Sequence, residues 1–215
     1  MRRRLELTSK TTRGKAMSEE ETDDKSFKEL IPMVKSLMHR DDTTITIEVK
    51  YPGTDLPRTK LVYRNGVLDG EQWDWYDNGR LEDVWTYKNG KIEGQHTSWY
   101  KSGKVLGVFN YHENSLEGLG QMWYENGNLL REETYKHGRF HGLRSKWYEN
   151  GNLWHLGMYR YGLEEGVHKA WHENGKLWKR SNYVLGKLDG ISEEWDEQGN
   201  LKFRKLFDHG KLIKE

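Results

Sequence analysis

Tyr135-Lys136-His137-Gly138-Arg139-Phe140-His141-Gly142-Leu143-Arg144-Ser145-Lys146-Trp147-Tyr148-Glu149-Asn150-Gly151 carries two turn signals around a short strand-like run. One is Gly138-x-x-x-Gly142 and the other is Asn150-Gly151. Asn-Gly between strand-like runs predicts a tight hairpin, because both residues tolerate positive φ. The runs between turns are about five to nine residues long, the length of ordinary strands. The stretch therefore reads as one antiparallel hairpin unit.

Working outward, Trp147 belongs to a column Trp75, Trp99, Trp123, Trp147, Trp171, Trp195 with a constant spacing of 24. Four residues after each comes Gly79, Gly103, Gly127, Gly151, Gly175 or Gly199. Two more columns keep the register: Leu81, Val105, Leu129, Leu153, Leu177, Leu201, and Tyr63, Tyr87, Tyr111, Tyr135, Tyr159, Tyr183 closed by Phe207. A fixed period of this length means an array in which each unit buries its apolar side against its neighbours. The expected fold is all-β: an elongated single-layer antiparallel meander of six hairpin units and a seventh half-unit, with a spine of stacked Trp, Leu and Tyr. At about 4.8 Å per strand, each unit adds roughly 9.6 Å.

The pairing of Tyr-x-x-Gly-x-x-x-Gly with Trp-Tyr-x-Asn-Gly, as in Tyr135 to Gly142 and Trp147 to Gly151, resembles the MORN repeat. The likeness is to the variant form common in bacterial proteins, some with an antitoxin label, and in some large DNA viruses. It covers residues 61–215. The resemblance implies a hairpin array with roles in protein interaction or scaffolding, and phospholipid contact as proposed for some eukaryotic members. Asn114 stands where the pattern has Gly, Ser102 and Gln198 where it has Asn, and Asp196 where it has Tyr.

Upstream of the array, residues 1–25 split into a basic and an acidic half with almost nothing to bury, which predicts a disordered tail. Residues 26–60 are expected to hold a short helix over 32–39, with Met33, Val34, Leu37 and Met38 on one face, and then a capping hairpin. Thr44 to Lys50 alternates as a strand does, and Pro52-Gly53-Thr54-Asp55 turns the chain back. The charged close from Phe207 to Glu215 is the expected cap at the other end.

Composition narrows the function. Only 34% of the chain is apolar, and ten Trp and twelve Tyr carry much of that. A net charge of +1 gives no global field to attract nucleic acid. The absence of cysteine removes thiolate chemistry and disulfides, and no run approaches the length of a membrane span, so an intracellular, soluble protein is expected.

Catalysis needs a constellation that breaks the repeat. His168 and His172 would be about 13 Å apart on a strand, too far to share a metal. His137 and His141 bracket a glycine turn and read as turn residues. The acidic column Asp69, Glu93, Glu117, Glu165, Asp189, interrupted once by His141, is expected to accept backbone N–H bonds at the turns, with a row of calcium sites as the alternative. No enzyme, cofactor or metal is expected.

Strict alternation, if no bulge intervenes, would place Leu106, Val108, Leu130, Trp154, Leu156 and Trp178 on the outer face as an apolar patch for a partner. The alternative is that the patch is covered within the chain. The leading functional expectation is a scaffold that binds another protein, including the case of a structural or virion-associated component. Membrane-surface attachment is a second reading, although the column Arg80, Lys104, Asn128, Asn152, Lys176, Asn200 is only half basic. Glycan binding by an aromatic ladder is a third.

Overall fold

The computed structural model describes residues 6–8 and 44–215. They fall into two compact units, Met1–Lys104 and Val105–Glu215. In the first, the strands are β1 (Glu6–Thr8), β2 (Thr44–Lys50), β3 (Pro57–Arg64), β4 (Val67–Leu68), β5 (Gly70–Trp75), β6 (Leu81–Lys88), β7 (Lys91–Ile92) and β8 (Gly94–Trp99). In the second they are β9 (Val105–His112), β10 (Ser115–Leu116), β11 (Gly118–Trp123), β12 (Leu129–Lys136), β13 (Arg139–Trp147), β14 (Leu153–Arg160), β15 (Leu163–Trp171), β16 (Leu177–Val184), β17 (Lys187–Trp195), β18 (Leu201–Asp208) and β19 (Lys211–Lys214). Within each unit the paired strands are antiparallel and follow one another as a single-layer meander.

Two expectations for the amino-terminal part need comment. Within the stretch read as a disordered tail, Glu6–Thr8 instead form β1, and Leu7 pairs with Ile47 of β2. The helix expected over 32–39 lies outside the described residues. Between β2 and β3, Ile45 and Ile47 are buried with Val49, Leu61 and Tyr63 packed against them. Alternating Thr and Ile in β2 thus places its apolar half on one face.

The turns reverse the sequence expectation. Positive φ at both central residues, the mark of the tightest hairpin turn, occurs at Asn89-Gly90, His137-Gly138, Tyr161-Gly162, Leu185-Gly186 and His209-Gly210. At Asn150-Gly151 only the glycine is left-handed, with φ 89. There the Tyr148 N–H donates to the Asn152 carbonyl at 2.8 Å and the Gly151 N–H to the Tyr148 carbonyl at 2.9 Å, a wider loop with a glycine bulge. The Asn-Gly whose glycine stands four residues after the Trp column marks a turn, but not the two-residue one, whereas Asn65-Gly66 and Asn89-Gly90 do form the tight turn.

Leu185 holds a φ of 50 while 65% exposed, so its side chain offsets little of the backbone strain. Leu185→Asn is expected to raise the unfolding free energy by about 0.5–1 kcal/mol in urea titration, because asparagine tolerates this region. A loss of stability would show that the leucine packs usefully.

Neighbouring repeats are stitched at both turns. The Tyr124, Tyr148 and His172 side chains donate to the carbonyls of Trp147, Trp171 and Trp195 at 2.9, 2.8 and 2.9 Å. The Asn150 amide donates to the Glu173 carbonyl at 3.1 Å, while its own carbonyl oxygen accepts from the Asn152 N–H at 2.9 Å. At the tight turns, Asp69, Glu117, Glu165 and Asp189 accept the backbone N–H of Asn89, His137, Leu185 and His209. The acidic column therefore does serve turns, but those of the following repeat.

The interior differs in kind from the expected Trp-Leu-Tyr spine. In the second unit Tyr135 and Tyr159 are buried, yet the same face also buries Glu133, His168, Ser181 and Ser192; in the first unit Gln72 and His96 are buried. The Trp column is only half-buried, and Leu201 is exposed. A single-layer sheet has no opposing layer, so polar side chains that bond along the array fill its middle.

Candidate functional site

On β14, alternation assigns His155, Gly157 and Tyr159 to one face and Leu156 and Met158 to the other. The first is the tyrosine face. The register shifts between Lys146 and Trp147, and again between Ala170 and Trp171, so β14 and β16 each hold one extra residue where they leave the loop. A bulge of this kind lets consecutive side chains share a face. As a result Trp154 and Trp178 stand on the tyrosine face, not on the opposite face that strict alternation assigns them.

The two tryptophans frame a cleft of about 250 Å³. Its lining includes Tyr159, Tyr183 and Ala170, with His155, His168 and Ser181 among them, and the charged Arg144, Lys146, Lys179 and Glu164. Trp154 and Trp178 are 37% and 36% exposed. The Lys146 ammonium lies 4.9 Å from the centre of the Trp154 ring. Tyr148 and His172 back the two tryptophans, with ring centres at 6.0 Å in each case.

The charges around the cleft are unevenly satisfied. Arg144 is committed to Glu133, which it meets at 2.8 Å. Burial lowers the Lys146 pKa, and the neighbouring Arg144 charge adds to the effect. Burial also holds the His155 imidazole down to about 4, helped by His168, Arg144 and Lys146. His168 is lowered mainly by burial, although its Nε2 sits 2.8 Å from the Met158 carbonyl. Both histidines are thus neutral near pH 7, and the net charge of the lining is positive.

This predicts an acid limb in stability. A histidine whose folded pKa is depressed binds its proton more readily in the unfolded chain, so stability is complete above about 6.5 and falls as pH drops towards 4. A loss of about 1–2 kcal/mol between pH 7 and 4.5 is expected in chemical denaturation, and His155→Phe should flatten part of it. An unchanged slope in the variant would remove His155 from the account.

The other expected patch residues divide. Val108 faces Gln121, and Leu156 faces Ser145 and Lys169, all on the side opposite the tyrosines. Leu106 and Leu130 occupy the same repeat position as Trp154 and Trp178 and are half-buried. The six residues do not form one patch. The opposite face instead carries an exposed aliphatic column, Leu119, Leu143, Val167 and Ile191, joined by Met158 and Leu206. Its signal was in the sequence, since each column member directly follows the second glycine of a turn.

Most candidate metal ligands have local partners, the exception being His141, whose Nδ1 is buried without a hydrogen-bond partner. The His168 and His172 rings each face a backbone carbonyl. Atoms of Asp189, Asp208 and His209 lie within 4.8 Å of one another, but Asp208 and His209 are exposed and His209 Nδ1 meets Asp208 at 2.5 Å. His137 Nδ1 lies 3.7 Å from Glu117, and the His141 ring rests against Tyr161 at 4.5 Å.

With this geometry, the family comparison becomes informative. The model of the MORN repeat variant matches residues 116–137, 140–161, 164–184 and 188–209 in tandem. These units are MORN repeats. No curated protein matches the chain. MORN repeats generally serve as protein-binding or membrane-binding modules, and the family is a non-catalytic one. Among the described residues no helix is long and apolar enough to cross a membrane. The cleft spans the second and third matched MORN units, and Trp154 and Trp178 stand where other units carry Glu82, Leu106, Leu130 and Lys202.

Proposed function

We propose that the second unit is a non-catalytic binding platform for another protein, and that the partner seats on the tyrosine face between Trp154 and Trp178. The observation that carries this reading is the pair of tryptophans held on one face by bulges, each more than a third exposed, across a cleft with mixed aromatic and cationic walls. Large rings with a polar edge are the residues that concentrate binding energy at protein interfaces. They are also confined to two of the repeats, as expected of a site rather than of the scaffold.

The test is selection from a displayed random-peptide library on the full chain. Selected peptides should bind the wild type and lose at least about tenfold in affinity for Trp154→Ser, Trp178→Ser. Circular dichroism should show both proteins folded alike. Peptides that bind the double variant equally well would place the interface elsewhere.

A further inference from the structure

Resting on that reading, we propose that the cleft takes an acidic protein segment in the polyproline II conformation, which crosses the β-strands and anchors every third residue. Trp154 and Trp178 hold the same position in adjacent repeats, two strands apart, a spacing of about 9.6 Å. A polyproline II chain advances about 3.1 Å per residue with three residues per turn, so residues i and i+3 share a face about 9.3 Å apart. The pitch of the repeat and the pitch of the ligand agree within a few tenths of an ångström. A β-extended peptide would not serve, since its residues i and i+3 point to opposite sides.

The ring surfaces suit this chain type. Exposed tryptophan faces accept the flat pyrrolidine rings that polyproline II segments present, and the preformed helix loses little entropy on docking. Tyr159 and Tyr183 repeat the same spacing further along the two strands.

Charge selects the third residue. Lys146 and Lys179 line the cleft against one carboxylate, Glu164, while Arg144 is already paired with the buried Glu133. Lys146 rests over the Trp154 ring rather than on a carboxylate. An incoming Glu or Asp would supply the anion that this group of cations lacks, in a partly desolvated setting where ion pairs count for more than at an open surface. The lysines sit in a cleft between rings instead of on an open plane, which favours a peptide over the headgroups of a lipid surface.

Calorimetric titration of the full chain tests this with three capped peptides, four Pro-Pro-Glu triplets, four Pro-Pro-Gln triplets and four Pro-Pro-Lys triplets. The Glu peptide should bind about tenfold more tightly than the Gln peptide, as two partly desolvated ion pairs allow, and the gap should shrink at high salt. The Lys peptide should bind weakest. Lys146→Gln, Lys179→Gln should bring the ratio of Glu to Gln affinity close to one, whatever the change in either affinity alone. Trp154→Ser, Trp178→Ser should lose both peptides. Equal affinity for Glu and Gln, or preference for Lys, would overturn the acidic assignment. Absence of binding by all three overturns this proposal; library peptides of another type that still need the tryptophans would leave the broader platform reading intact. Tryptophan-dependent binding to vesicles containing a fifth phosphatidylserine, without binding to the Glu peptide, would replace the peptide by a membrane surface.

Discussion

Replacing Glu133 with alanine is expected to destabilise the protein by about 3–5 kcal/mol, the cost of breaking a buried charge cluster from one side. Glu133 is 0% exposed. Its carboxylate accepts from the Tyr135 hydroxyl at 2.6 Å and from Arg144 Nε at 2.8 Å, and Arg131 lies at 3.4 Å. Burial pushes this carboxyl up, but the hydrogen bonds from Tyr135 and Arg144, with the charges of Arg131 and Arg144, outweigh it and leave the pKa below the ordinary value. The same contact raises the Tyr135 phenol, first through burial and then through its bond to the carboxylate. Removing the carboxylate strands Arg144 between the Phe140 and Tyr159 rings, to which its guanidinium lies at 4.3 and 5.6 Å.

The pH dependence provides the check. A carboxylate with a depressed folded pKa contributes stability that is present above its unfolded value and lost as pH falls through the folded one. The gap between wild type and Glu133→Ala, measured by chemical denaturation, should therefore be widest near neutral pH and narrow in acid. Glu133→Gln keeps the shape and one acceptor and should fall between the two. If all three proteins share one midpoint, Arg144 finds solvent without the carboxylate, and the cluster is not a structural anchor.

Glu133 also marks where sequence reading reaches its limit. The 24-residue columns made the meander legible, because periodic Trp, Gly, Leu and Tyr report the common unit. Residues that differ from unit to unit report the packing between them, and a column average hides them. Trp85, Phe109, Glu133, Gly157, Ser181 and Lys205 fill one position in successive units. Gln72, His96, Gly120, Arg144, His168 and Ser192 fill its neighbour. Bulk or charge in one series is met by space or a partner in the other, and only coordinates show which. The faces of Trp154 and Trp178 were missed for a related reason: a bulge changes alternation without changing the spacing of the columns. The turn types were missed because Asn-Gly fits both a two-residue turn and a three-residue loop with a glycine bulge. The choice fell to the stitching bonds of Tyr148 and Asn150, whose partners lie one repeat further on.

The same complementary series predicts that Gly157→Ala, a single added methyl group, will cost about 1–3 kcal/mol, the range for overfilling a packed site. A Cβ at Gly157 would lie 2.6 Å from His168 Cγ, and closer still to Nδ1 and Cε1 of the ring. The ring has nowhere to retreat. His168 is 6% exposed, with Nε2 on the Met158 carbonyl and the Tyr159 and Tyr183 rings at 5.1 and 5.0 Å. The clash is with a side chain, since Gly157 is not among the residues with positive φ. It should therefore be relieved by shrinking the neighbour. His168→Ser alone leaves a cavity and loses the bond to Met158, so it should also destabilise. Combined with Gly157→Ala it should be less harmful than the sum of the two changes, giving a favourable coupling of about 1 kcal/mol or more in a double-mutant cycle. This copies an arrangement already present one repeat later, where Ser181 and Ser192 share a hydrogen bond of 2.7 Å. Strict additivity would mean that the backbone of β14 shifts to admit the methyl, and that the repeats are less tightly matched than their side chains indicate.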